Sequence, residues 1–234
     1  VKIKALRGYR YARAATRDLS SVVAPPYDQI SPEMQDRLYA LHPHNIVRAT
    51  LGKDEPGVDR YARARDVLEQ WMASGVWARD REPAIYPYHQ TYRVGGERVT
   101  RRGFVALGEV SDYAQGVVLP HERTHAGPKL DRMKLLEATG SDIGLLFMLV
   151  SDPQGEILSA AAPTGSPLAE AVDLRGEEHA LWRITDATAI ADVAALMAPR
   201  PVIIADGHHR YETAVEYARR HPTAEKLMAF FALE

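Results

Sequence analysis

Val202-Ile203-Ile204-Ala205-Asp206-Gly207-His208-His209-Arg210-Tyr211-Glu212-Thr213-Ala214 passes from strand to turn to helix without a spare residue. Val202 to Ala205 is apolar and mostly β-branched, the composition of a short buried strand, and Asp206-Gly207 breaks it with turn chemistry. Beyond the break, Tyr211, Ala214, Val215 and Ala218 recur at helical spacing. The turn therefore gathers a carboxylate, a glycine, two imidazoles and a guanidinium at a helix start. Backbone N–H groups there lack partners and the helix dipole favours negative charge. A phosphate bound at this turn would meet Arg210 as a bidentate partner. A helix cap with a structural histidine pair is the plainer reading of the same residues.

Working outward, Asp186 to Met197 reads as a small alanine-rich helix delivering the chain to this strand, and Lys226 to Leu233 as the strand that follows its helix. Ile143 to Val150 is a continuous apolar run, the pattern of a strand buried on both faces. Leu174 to Ile184 reads as a hairpin about Gly176, with Trp182 in the core. Ala84, Tyr86, Tyr88, Tyr92 and Val94 alternate, Gly95-Gly96 turns, and Val99 to Val110 returns as the second arm. Pro87 places the first arm at a sheet edge. Val58 to Ser74 has helical spacing and stops at Gly75, and Ser31-Pro32-Glu33 opens another helix with a cap and a proline. Ile46 to Leu51 and the alternating Val1 to Ala12 read as strands. Helices alternate with strands and hairpins, so the expected class is α+β (mixed α/β), a mixed sheet with flanking helices in a single domain spanning residues 1–234.

The chain has 234 residues, 46% hydrophobic and 26% charged, with a formal net charge of −2. That is enough for a sizeable core, and no overall basic field advertises nucleic acid. The count of cysteines is 0, which excludes disulfides, thiolate zinc sites and cysteine nucleophiles. No stretch reads as a signal peptide or membrane span, so the expectation is a cytoplasmic protein without a membrane partner.

Two further stretches carry chemistry. Ala24-Pro25-Pro26-Tyr27-Asp28 presents Tyr27 and Asp28 from a stiff extended loop, where Asp28 either caps a turn or is aimed at a substrate. His121-Glu122-Arg123-Thr124-His125 spells the HExxH of zinc hydrolases, but Pro120 and Gly127-Pro128 deny it the helix that would turn both histidines to one metal. A loop followed by a helix with Pro128 near its start fits better. It concentrates His121, Glu122, Lys129, Asp131 and Arg132.

With Ala24-Pro25-Pro26-Tyr27-Asp28, Asn45-Ile46-Val47-Arg48, Pro120-His121-Glu122, Pro128-Lys129-Leu130-Asp131-Arg132 and Ala205 to Ala214 in order, the chain resembles the bacterial and archaeal family catalogued as domain of unknown function ten-fifteen. Members are typically longer, so the resemblance implies a C-terminal portion absent here. The Asp-Gly-His-His-Arg turn is also similar to that of the ParB and sulfiredoxin superfamily, which includes free serine kinases. That likeness implies phosphate binding by Gly207, His208, His209 and Arg210.

The first functional expectation is a nucleotide-binding phosphotransferase using ATP or ADP with Mg²⁺ on a small hydroxylated metabolite. Arg210, Lys129 and Arg132 supply positive charge, Asp206 takes the metal, and Glu122 is the acceptor base with Asp28 second and His121 beside them. The alternative is a ParB-like nucleotide switch or nucleic-acid accessory protein, drawing on Arg98, Arg101, Arg102, Arg60, Arg63 and Arg65. A remote third is zinc hydrolysis through His121 and His125.

Overall fold

The strand expected at Val202 forms and lies inside the sheet. The computed structural model describes residues 1–222 and 225–234. In chain order the elements are β1 (Ile3–Lys4), β2 (Tyr9–Tyr11), α1 (Pro32–Leu41), α2 (Val47–Thr50), α3 (Arg60–Ala73), β3 (Trp77–Arg79), β4 (Tyr86–Val94), β5 (Glu97–Glu109), β6 (Val118–Leu119) and α4 (Ala126–Thr139). They continue with β7 (Leu146–Val150), α5 (Glu156–Ala160), β8 (Ala169–Val172), β9 (Glu178–Leu181), α6 (Ala187–Met197), β10 (Val202–Asp206), α7 (His208–Arg220) and β11 (Glu225–Ala232).

A nine-stranded sheet runs β6-β10-β7-β11-β5-β4-β9-β8, with β1 added on β5. β10 is parallel to β6 and antiparallel to β7, while β7 is parallel to β11 and β11 antiparallel to β5. The sheet is mixed and helices flank it, as the pattern of elements predicts.

Alternation assigns the two faces. Met148, Val150, Val202, Ile204, Met228 and Phe230 turn to one side, where Ile157 of α5 and Val193 and Met197 of α6 cover them. Full burial of each such side chain contributes about 1.5–3 kcal/mol. Tyr86, Val105, Ala229 and Phe231 turn to the other side with Phe147 and Leu149. A smaller cluster of Ala49, Leu68, Trp71 and Val76 packs α2 and α3 together.

Several helices begin at a side-chain cap, the first of them at the expected Ser31. Ser31 accepts from the Met34 N–H at 3.2 Å, Asp59 from Tyr61 and Ala62, and Asp186 from Ala189 at 2.8 Å. Other expectations are corrected. Ile46 to Leu51 is not a strand but the turn of helix α2, because Asn45 Oδ1 accepts from the Val47 N–H at 3.0 Å while its Nδ2 donates to the Ser21 and Val23 carbonyls. Tertiary anchoring there overrides β-branched composition. Pro87 does not mark an edge, since β4 is paired on both sides. Its carbonyl accepts from the Trp182 N–H at 2.9 Å, in the gap between the β9 ladder and the isolated Ile85–Ile184 bridge, where a missing donor is tolerated.

The hairpin about Gly176 has its arms at Ala169–Val172 and Glu178–Leu181, and Trp182 lies beyond it, half-buried, donating to the Gly165 carbonyl instead of entering the core. The run Ile143 to Val150 is strand only from Leu146, and it is not buried on both faces: Phe147 and Leu149 remain partly open. On that side Phe147 lines a cavity.

Candidate functional site

The turn between β10 and α7 is fixed by a glycine that nothing else can replace. Gly207 has φ +102°, and a Cβ there would stand 2.7 Å from Leu146 Cδ2 and 3.1 Å from Arg210 Cζ. A register shift between Ile204 and Asp206 precedes it. No side chain caps α7, which leaves its first N–H groups without a side-chain acceptor. Arg210 folds back across the turn, donating to the Asp206 carboxylate and to the Leu145 carbonyl.

On the Arg210 side the turn opens into a cavity of about 720 Å³ between the Phe147 and Phe231 face of the sheet and the layer formed by α4 and the Val23–Tyr27 loop. Arg101, Arg132, Arg175, Arg210 and Lys226 line it, together with Asp142, Asp173, Glu177 and Asp206. Arg132 is held by Asp131 and by the Thr50 carbonyl at 2.9 Å, and its guanidinium lies 3.9 Å from the centre of the Tyr27 ring. Lys226 is buried and donates to Asp142 and to the Gly144 carbonyl. Burial pushes its ammonium pKa down, with Asp142 opposing the shift. Arg101 rests on the Tyr92, Phe147 and Phe231 rings, and Arg175 donates to Gln29 at 2.5 Å. Among the described residues neither of these two pairs with a carboxylate. Opposite them, the Tyr88 hydroxyl and His179 Nδ1 are 2.6 Å apart, and burial pushes the Tyr88 pKa up to about 12.

The other side of the turn carries the histidines. His208 is buried, its Nε2 accepts from the His121 N–H at 3.2 Å, and its Nδ1 lies 2.9 Å from Glu122 Oε1. Burial pushes this imidazole pKa down, against the Glu122 charge. His209 Nε2 accepts from the His125 N–H at 3.0 Å, and their rings stack. Lys129 donates to Glu212 at 2.8 Å, as does Thr124 at 2.6 Å. Burial raises the Glu212 pKa, but these two donors outweigh it and hold the carboxyl below its ordinary range.

The residues singled out in the sequence are thus divided between two places. Asp206, Arg132 and Arg210 line the cavity, while Gly207 forms the turn. His121, Glu122 and His208 gather on the far side, Lys129 is engaged by Glu212, and Asp28 is exposed in the short helical turn Tyr27–Gln29. The double proline aims Tyr27 inward, not Asp28. Among the described residues, the sets able to converge on a metal are His121–Glu122–His208 and Asp173–Glu177–His179. Asp206 belongs to neither, and neither does His125, which meets His209 instead of His121.

The sequence reading missed Asp142, Asp173, Arg175, Glu177, His179 and Lys226 in the cavity wall. Asp173, Arg175, Glu177 and His179 surround Gly176 of the hairpin, a spacing of charge around a turn that was legible but unremarkable. Lys226 follows Glu225 at the start of a strand that is apolar from Leu227 onward, and its burial requires a partner inside.

Among the described residues no helix is long and apolar enough to cross a membrane. No curated protein and no solved structure shows significant similarity to the chain. Residues 3–232 match the family model described as "Protein of unknown function (DUF1015)", and over nearly its whole length the chain belongs to that family.

Proposed function

We propose that the cavity binds the phosphates of a nucleotide, ATP or ADP, and that the chain is a phosphotransferase acting on a small hydroxylated metabolite. The observation that carries this reading is a cavity beside the Asp206–Arg210 turn whose Arg101 and Arg175 have no carboxylate partner among the described residues. Cations left unpaired by the protein are the ones an anionic ligand can take. Phe147 and Tyr88, both half-buried, give a ligand apolar contact in the cavity wall beside Arg101. The likeness of the Asp206–Arg210 turn to the ParB and sulfiredoxin superfamily points the same way.

Mg²⁺ accompanying the nucleotide keeps several waters and needs only one or two carboxylates. Asp173 and Glu177 fit that demand better than Asp206, which Arg210 already occupies. When bound, the cation neutralises phosphate charge. The same wall is the place for the acceptor base, since Glu122, His121 and Asp28 do not line the cavity.

A nucleic-acid role has less support. Arg60, Arg63, Arg65 and Arg98 are each paired with a carboxylate, which removes much of the basic surface such a role needs. Calorimetric titration with ATP and ADP, with and without Mg²⁺, tests the proposal: saturable binding supports it, and none to the native chain overturns it.

A further inference from the structure

The His208 side chain is only 1% exposed, and its Nδ1 has no hydrogen-bond partner among the described residues. Glu122 Oε1 lies 2.9 Å away, but off the line of a ring N–H, so the contact leaves the nitrogen unsatisfied. A buried orphan of this kind costs about 1–3 kcal/mol and implies a missing partner. Next to it, His121 Nδ1 is 2.6 Å from the Ile204 carbonyl oxygen. The carbonyl accepts, so the His121 proton is on Nδ1 and its Nε2 carries the lone pair. A backbone carbonyl holding one ring nitrogen is the arrangement that orients a metal-ligating histidine.

We propose that His121, Glu122 and His208 form a site for a divalent transition-metal cation, with Zn²⁺ the best match to two imidazoles and one carboxylate. The ligand atoms of the three residues all lie within 4.8 Å of one another. Atoms bound at about 2.0–2.2 Å to one cation stand roughly 3 Å or more apart, so the loop needs little adjustment. Three protein ligands leave a position open for water or an anionic oxygen. The proposal goes beyond the nucleotide reading and does not rest on it, since none of the three residues lines the cavity.

One contact must be given up. His208 Nε2 now accepts the His121 N–H at 3.2 Å, which places the neutral ring's proton on Nδ1. Binding a cation at Nδ1 moves that proton to Nε2, and the His121 peptide turns away. Residues 121–123 are exposed, so this motion leaves the core intact.

The test is calorimetric titration of Zn²⁺ into the EDTA-treated, dialysed chain, with Co²⁺ absorption as a reporter of nitrogen and oxygen ligation. One equivalent is expected to bind, and His121→Ala and Glu122→Gln, both on the exposed loop, are each expected to weaken it at least about tenfold with an unchanged thermal melt. His179→Ala should bind as the native chain does. No saturable uptake, uptake that survives both loop variants, or uptake abolished by His179→Ala would each overturn the assignment.

Discussion

The Arg101 guanidinium carbon lies 4.7 Å from the centre of the Phe147 ring, and no carboxylate among the described residues pairs with it. A cation placed on aromatic faces keeps its N–H donors for a ligand. Replacing Arg101 with Met should therefore weaken nucleotide binding about tenfold or more, the worth of one charge-assisted hydrogen bond, and barely move the thermal melt. Unchanged affinity in a calorimetric titration would show that Arg101 does not touch phosphate.

Gly207→Ala tests the turn. The added Cβ meets Leu146 Cδ2 at 2.7 Å in a backbone conformation with φ +102°. Left-handed backbone alone costs a non-glycine residue about 1–3 kcal/mol, and the collision adds to it. Urea unfolding should show a loss of at least that size. A near-neutral substitution would mean that the turn relaxes freely.

Lys226 and Asp142 tie the chain before β7 to β11 at the cavity floor. Asp142→Ala leaves a buried ammonium unpaired, at an expected cost of about 3–5 kcal/mol by chemical denaturation. The double variant Asp142→Ala with Lys226→Met should recover a large part of that loss. Equal losses in the single and double variants would mean that the carboxylate's bond to the Leu227 N–H, at 2.7 Å, is what matters.

Asp80 is expected to contribute to acid stability. Its side chain is 3% exposed, accepting from Arg10 Nε at 3.0 Å and from the Tyr86 hydroxyl at 2.6 Å. Burial raises its pKa, but Arg10 and Tyr86 more than offset this, so the folded value lies below 3.8. A depressed carboxyl pKa contributes stability that is complete above the unfolded value of about 3.9 and is lost as pH falls through the folded one. Asp80→Asn should destabilise at neutral pH by about 3–5 kcal/mol and flatten the acid limb of the stability profile. Parallel profiles for native and variant below about pH 4 would contradict this.

The sequence made the central strand, turn and helix legible because local chemistry and tertiary role agree there: β-branched residues, a glycine with φ +102°, and helical spacing point one way. It misled at Ile46 to Leu51, where the Asn45 side chain decides the backbone. Pro87 misled as well, since a single absent donor can be accommodated between two stretches of ladder. The site was half legible. Residue types at the turn were visible, but not that α7 sends His208 to one side and Arg210 to the other, nor that a distant hairpin brings Asp173 and His179 to the cavity. Such convergence is set by sheet order, which local patterns do not encode.

The most direct measurement is equilibrium binding of ATP, ADP and CTP, each with and without Mg²⁺, to the native chain and to the double variant Arg101→Met with Arg175→Ala. Binding to the native chain that is lost in the variant, with the thermal melt unchanged, is the expected result and places phosphates against the unpaired cations of the cavity. No binding to the native chain, or equal binding to both, would contradict the assignment of this cavity as a phosphate site.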